Sequence, residues 1–356
     1  MRSDRHARHV IALDVGGTGM KAALVGADGA LLYEARRATG RERGPEAVVE
    51  TVLAFAAELR AYGAEHFGRG AVAAGVAVPG IVDAERGIAR YAANLGWRDL
   101  PLRDLLAARL GGVPVALGHD VRTGGLAEGR LGAGRGTDRF LFVPLGTGIA
   151  GAIGIGGAIE AGAHGSAGEI GHVVVRPDGP ACGCGQRGCL ETLASAAAVT
   201  RAWQAASGDP EADAADCAKA VDSGDPAAVR VWHDAIDALA AGLVTALTLL
   251  DPRTLIIGGG LAEAGDTLFT PLRAAVAERV TFQTLPEIVP AALGDTAGCL
   301  GAGLLAWDLV DAGAAPAPAS SATPPSSPSP APPSSPASQA GPSDTHTPSL
   351  APEVTA

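Results

Sequence analysis

The sequence has no excess of basic residues. Its 27 Lys and Arg stand against 38 Asp and Glu, a formal net charge of −11, and it therefore lacks the electrostatic footprint of a nucleic-acid binder. A small anionic ligand would need a local site instead of a global field. Leader chemistry is missing as well: MRSDRHARHV carries basic residues but no apolar run before the first strand, unlike a secretory signal. No later stretch offers about 18 uncharged apolar residues outside strand and helix patterns. The expectation is a cytoplasmic protein with no nucleic-acid and no membrane partner. Neither the P-loop nor the Rossmann fingerprint is present. Cysteine is scarce, five in 356 residues, and an odd count in a chain with no sign of export argues against a disulfide framework.

What is present is apolar residue in quantity, 47% of the chain against 18% charged, ample for a large core or two lobes. Residues 10–14 and the apolar run after Lys21 read as a β-hairpin. Leu31 to Arg37 extends it as a third strand, and Pro45 to Tyr62 has the spacing of an amphipathic helix. Val72 to Val78 is a strand ended by Pro79-Gly80, and Asp83 to Asn94 is polar and irregular. A helix over Leu102 to Leu110 precedes a buried strand, Val113 to Leu117, that delivers Gly118-His119-Asp120 at its end. Open α/β sheets place their chemistry at such ends.

Beyond Asp120 the pattern repeats: a helix at Gly124 to Leu131, a strand at Phe140 to Leu145, a Gly146-Thr147-Gly148 turn and an apolar run over Ile149 to Ile155. Strand, glycine turn, strand thus occurs at 10–25 and again at 140–155, which suggests two related α/β lobes. Residues 192–249 are Ala- and Leu-rich helix with breaks near 207–212 and 222–226. Leu255 to Ile257 is a strand followed by Gly258-Gly259-Gly260 and a helix from about Glu263. Ile288 to Ala291 gives a last strand, and Ala297 to Leu309 a last helix. The expected division is one lobe over 1–120 completed by the helix at 297–310, a second lobe over 121–296, and a tail over 312–356. That tail is rich in Pro, Ser and Ala and should be disordered, because it offers too little apolar surface to offset ordering entropy.

The stretch Gly171 to Glu191, GHVVVRPDGPACGCGQRGCLE, is the best candidate metal site. Cys182, Cys184 and Cys189 are spaced C-x-C-x4-C with glycines between them, so the backbone can turn tightly enough for three sulfurs to converge. His172 supplies a fourth ligand, completing the Cys3His set of a closed structural zinc site. A surface disulfide plus one free thiol is the alternative.

Asp14 stands at a strand end before Gly16, Gly17 and Thr18, where bare backbone amides can approach phosphate oxygens. The alternative is an ordinary glycine-rich turn. Gly146, Thr147 and Gly148 offer a second cradle, and Gly259 and Gly260 a third that opens a helix. Three such turns, each following a strand, are hard to assign to chance. A carboxylate at Asp120 could take a proton from an alcohol attacking phosphorus, although a lone Asp in such a place is more often a helix N-cap than a base. Glu169, His172 and Glu191 frame the metal stretch, where they could hydrogen-bond sugar hydroxyls or only orient metal ligands.

These segments together, DVGGTGMK at 14–21, PLGTGIAGA at 144–152, AHGSAGEIGH at 163–172, CGCGQRGCLE at 182–191 and IIGGGLAEAG at 256–265, resemble the ROK family of sugar kinases over roughly residues 10–310. The resemblance implies two actin-like (ribonuclease H-like) lobes, ATP with Mg2+ in the cleft between them, a hexose deeper in, structural Zn2+ and a homodimer or homotetramer. It implies phosphorylation of a hexose 6-hydroxyl, glucose first, with Asp120 as general base. Gly80, Asn94, His119, Glu169, His172 and Glu191 match the sugar-binding positions. Asp14, Gly16, Gly17, Thr18, Gly146, Thr147 and Gly148 match the phosphate segments, and Gly259 and Gly260 the adenosine segment. One departure concerns the acceptor: the family's Asn-Asp pair is His119-Asp120 here, and Arg122 replaces an asparagine. Arg122 could offset the charge of Asp120 or cap a helix. The family also contains sugar-responsive repressors with a DNA-binding segment ahead of the first hairpin. Only thirteen residues precede Asp14, which favours a kinase, with a sugar sensor of weak activity as the alternative.

Overall fold

The structure, a computed structural model, describes residues 8–314. The tail over 312–356, expected to be disordered, lies almost wholly outside them. The chain opens with β1 (His9–Val15), β2 (Gly19–Gly26) and β3 (Leu31–Ala38), then α1 (Pro45–Phe67) and β4 (Ala74–Val78). Three short strands follow, β5 (Ile81–Asp83), β6 (Ile88–Ala92) and β7 (Trp97–Leu100), before α2 (Leu102–Arg109), β8 (Val115–His119) and α3 (Asp120–Leu131). A second series begins with β9 (Arg139–Pro144), β10 (Ala152–Ile155) and β11 (Ala158–Glu160). Four helices come next: α4 (Leu190–Ala194), α5 (Ala196–Ser207), α6 (Ala214–Asp222) and α7 (Pro226–Leu250). The described chain ends with β12 (Thr254–Gly258), α8 (Asp266–Arg279), β13 (Glu287–Pro290) and α9 (Ala297–Ala314).

Two five-stranded sheets carry the molecule, in the orders β3-β2-β1-β4-β8 and β11-β10-β9-β12-β13. Their topologies are the same. In each, an antiparallel hairpin pair precedes two parallel strands laid beside the first strand. The recurrence of strand, glycine turn and strand in the sequence is therefore the trace of a repeated fold. Each sheet has its own core, the first built on Ile11, Leu13, Val76 and Leu117 under α1 and α2, the second on Leu141, Val143, Leu255 and Ile257 under α7 and α8. The last helix, α9, crosses back onto β1, β4 and β8 and packs on α3. Among the described residues α7 alone is long and apolar enough to cross a membrane by length and composition, but half of that window is buried inside the protein, as in a core helix.

Three differences from the sequence reading have physical causes. Asp83 to Asn94 is not irregular: it lies within a three-stranded antiparallel sheet, β5-β6-β7. Its turn is set by the Asp83 side chain accepting from Arg86 N–H at 3.0 Å and by Gly87 at φ 73°. Such short strands with partly exposed faces carry little apolar periodicity to detect. Pro114 has no N–H to give a ladder, and β8 accordingly starts and ends two residues later than expected, so that His119 is its last residue. Finally, α3 begins at Asp120 rather than Gly124, because the His119 ring accepts from Arg122 N–H at 3.4 Å and caps the helix there.

One buried charge ties α3 to the segment entering α9. Glu128 is fully buried and accepts backbone N–H groups of Ala133 at 2.9 Å, Ala292 at 3.1 Å and Leu293 at 2.8 Å. A carboxylate so surrounded satisfies three donors that would otherwise be orphaned.

Candidate active site

The first phosphate-type turn joins β1 to β2. Gly16 N–H donates to Gly19 O at 2.9 Å, and the buried Thr39 reaches across from the end of β3, its N–H to Thr18 O at 3.0 Å and its hydroxyl to Gly16 O at 2.7 Å. Thr39 thereby clamps the turn, a role its surroundings in the sequence do not advertise. Asp14, one residue before the end of β1, faces the start of α9: a Cβ on Gly298 would collide with its carboxylate. Burial raises the Asp14 carboxyl above its usual range, against the nearby Lys21 ammonium at 3.9 Å. Lys21 is itself held by Asp295, which also pairs with Arg36 at 2.6 Å.

The equivalent turn joins β9 to β10. It interlocks with the third glycine segment: Leu145 N–H donates to Gly258 O at 2.8 Å and Leu261 N–H to Leu145 O at 3.2 Å. Gly259 sits at φ 77°, where a Cβ would lie 2.6 Å from Leu145 backbone atoms. Only glycine fits that contact.

The metal stretch packs against the second turn. The ligand atoms of His172, Cys182, Cys184 and Cys189 all lie within 4.8 Å of one another. Cys182 Sγ is 3.6 Å from His172 Nδ1, and Cys184 Sγ 3.7 Å from Cys189 Sγ. Tetrahedral zinc with bonds of about 2.3 Å needs ligand atoms roughly 3.5–3.8 Å apart, so the set fits a closed structural zinc site. All five cysteines are free thiols, and the disulfide alternative falls. Burial, with Cys184 and Cys182 beside it, pushes the Cys189 thiol up to about 12, and a shared dication is what would reverse this. Cys189 ends in the cap of α4, which puts Glu191 in its first turn. There Glu191 Oε2 accepts from Ile149 N–H at 2.9 Å and crowds Gly148. A single side chain thus joins the cysteine loop to the second glycine turn.

Asp120 opens α3 directly after β8. His119 does the capping, so the cap alternative for Asp120 is not what the helix uses; its Oδ1 instead accepts from Val121 N–H at 2.7 Å. About a third of the Asp120 side chain is exposed. Burial pushes the carboxyl up to about 7; the Val121 bond opposes this, the Asp14 and Glu169 charges add to it, and the Arg122 guanidinium opposes it weakly. Arg122 therefore does partly offset the charge, but desolvation wins. Its own guanidinium reaches Ala167 O at 3.5 Å, two residues before Glu169. His119, 7% exposed, is held down to about 4 by burial and by the Arg122 charge, so its ring is neutral near pH 7. Because Nδ1 accepts from Arg122 N–H, the ring proton is assigned to Nε2.

The remaining positions lie in the β5-β6-β7 sheet and its approach. Gly80 follows β4 at φ 91°, where a Cβ would strike Tyr91 O. Asn94, exposed between β6 and β7, lies over Gly17, with its Cβ 3.5 Å from where a Gly17 Cβ would be. Glu169 is exposed at the start of a short turn that carries His172. Among the described residues no direct hydrogen bond joins Asn94, Glu169 or Glu191 to Asp120. What joins these positions is electrostatic and local: the Asp14 and Glu169 charges both act on Asp120, Asn94 lies against the first glycine turn, and Glu191 is bonded to the second.

Two sheets of the same strand order, each with a glycine turn between its first two strands, are the architecture of the actin-like ATPases. A ROK hexokinase from Thermus thermophilus superposes with TM-score 0.75 at 35% identity, covering 85% of this chain and 99% of that one. A glucokinase from Streptomyces griseus, solved with glucose and AMPPNP, gives TM-score 0.73 at 33% identity over 84% and 99%. The glucokinase of Thermotoga maritima is 37% identical over 309 residues, 82% of this chain and 95% of its own. The sequence model of the ROK family matches residues 10–308, and the chain belongs to that family.

Proposed function

We propose that this protein transfers the γ-phosphoryl group of ATP to the 6-hydroxyl of a hexose, with glucose as the principal acceptor and Asp120 as general base. The observation that carries the reading is Asp120, the first residue of α3 directly after β8, whose carboxyl burial pushes up to about 7. A carboxyl near 7 is well placed to accept a proton at neutral pH. The 6-hydroxyl gives its proton to Asp120, its oxygen bonds to the γ-phosphorus in line, the bond to the β-phosphate oxygen breaks, and ADP leaves. Positioning and charge stabilisation carry most of the rate in such transfers.

In this reading Gly80, Asn94, His119, Glu169, His172 and Glu191 bind the sugar. Asp14, Gly16, Gly17, Thr18, Gly146, Thr147 and Gly148 hold the phosphates, and Gly259 and Gly260 the adenosine. Asp14, a buried carboxylate just before the first glycine turn, is the residue suited to hold Mg2+, which would neutralise phosphate charge. Zn2+ in the Cys3His set is structural; four protein ligands leave no position for water. Residues 1–120 with 297–310 form one lobe and 121–296 the other, supported by α9 lying on β1, β4 and β8. Cysteines placed as a zinc-ligand set or as single buried thiols suit a cytoplasmic protein. Phe282 and Leu249, 80% and 76% exposed, offer apolar surface for a homodimer or homotetramer. An ADP-release assay over glucose, mannose, fructose, allose and the N-acetylated hexosamines tests the function. Turnover strongest on glucose is expected; sugar binding without turnover on any of them would return the sensor reading.

A further inference from the structure

A cavity of about 790 Å3 is not lined by Asp120, Glu169, Glu191, Asn94 or either glycine turn. It opens beside them, because β8 is the edge strand of its sheet and no strand lies beyond Leu117, Gly118 and His119. One wall is the β5 segment and its turn, the opposite wall the segment 158–165 of the second lobe, and the floor is the face of α3 bearing Arg122, Thr123 and Leu126. Two buried polar side chains lie on its walls. His119 has Nδ1 engaged, which leaves the Nε2–H donor for a ligand. Thr123 is 2% exposed, and its hydroxyl, closed off from solvent, lies against Gly118. The His119 ring N–H, left without a protein partner beside a cavity, marks a ligand position.

We propose that this cavity is an acceptor subsite that admits a hexose carrying a second, neutral sugar unit. The proposal rests on the reading that His119 touches the acceptor, since His119 lines the cavity and directly precedes Asp120. The volume lies within the range of about 300–1,000 Å3 usual for small-molecule sites and exceeds what a side-chain gap would leave. The charge of the lining selects the ligand. Four arginines face three carboxylates, and Arg90 pairs with Asp83 at 3.1 Å and Arg130 with Asp308 at 2.7 Å. That leaves Arg86 and Arg122 against Glu85, a nearly balanced field that offers alternating donors and acceptors to hydroxyls rather than a trap for an anion. Ile81, Val82, Leu126, Ile159 and Leu305 supply apolar surface for the C–H faces of a sugar ring.

The test uses the full chain with ATP and glucose, maltose, cellobiose, lactose or trehalose, following ADP release and the mass of the phosphorylated product. Ala158→Trp and Ala163→Trp, both at exposed wall positions away from the base, fill the cavity. The wild type should phosphorylate at least one disaccharide, and each filling should cut kcat/KM for it by about tenfold or more, as expected for steric rejection in a shaped pocket, while glucose turnover stays within about twofold. Turnover of glucose with none on any disaccharide, or disaccharide turnover indifferent to both fillings, overturns the subsite. Calorimetric binding of the same disaccharides, abolished by the fillings, supports it independently of turnover. Failure to phosphorylate glucose itself would instead remove the kinase reading.

Discussion

If Asp120 must be ionised to act, the pH dependence of kcat/KM is fixed by the environment the fold gives it. Burial pushes its carboxyl up to about 7, so activity should fall below pH 7, approaching roughly tenfold per pH unit as the ionised fraction drops. Two neighbours allow the assignment to be separated from any other titrating group. The Arg122 guanidinium lowers the Asp120 value and the Glu169 carboxylate raises it. Arg122→Ala should therefore move the acid limb to higher pH, and Glu169→Gln should move it to lower pH, whatever each does to the absolute rate. The assay is steady-state ADP release between about pH 5 and 9 at limiting hexose, where kcat/KM reports the free enzyme. A profile flat down to pH 5, or a limb that shifts the same way in both variants, would refute the reasoning. The same shift has a consequence for stability. The folded value lies above the ordinary 3.8, so the stabilising proton is fully bound below that value and lost as pH rises through about 7. The thermal midpoint of Asp120→Asn should thus match or exceed that of the wild type at pH 8.

Other expectations follow from the same geometry. Freshly purified protein should hold close to one zinc per chain, and Cys182→Ser should lower metal content, raise the KM for hexose and reduce the melting temperature together, because the loop positions His172 and Glu191; unchanged KM with zinc lost would separate loop from pocket. Glu128→Ala leaves three backbone N–H groups without their acceptor, at a cost of about 1–3 kcal/mol for each donor left unmet, and denaturant unfolding should register a loss of at least several kcal/mol. Gly259→Ala places a Cβ 2.6 Å from Leu145 backbone atoms at φ 77°; it should weaken nucleotide affinity far more than hexose affinity, which titration with a non-hydrolysable ATP analogue would show.

The sequence carried most of what depends on local pattern. Glycine at Gly16, Gly146 and Gly259 marked turns that the backbone could not otherwise make, and the spacing of Cys182, Cys184 and Cys189 marked a convergence of sulfurs. Long-range contacts left no such mark. Thr39 clamps the first turn from 23 residues away in sequence, and Glu128 serves donors about 165 residues downstream. The β5-β6-β7 sheet was missed because strands of three to five residues with exposed polar faces have no clear period. Asp120 could be named as a base from its strand end, but its role as distinct from a cap depended on His119 taking that duty, which only the fold decides. The cavity beside β8 was equally invisible, since it arises from an edge position and two lobes facing each other.

The central claim is that Asp120 removes the proton from the acceptor hydroxyl. The most direct measurement compares Asp120→Asn with the wild type in a single assay on glucose and ATP, with hexose and nucleotide affinities determined separately by calorimetry. The account predicts a fall in kcat of about 10²- to 10⁴-fold with nucleotide affinity little changed. Turnover near the wild-type rate, or lost activity explained wholly by lost nucleotide binding, would contradict it.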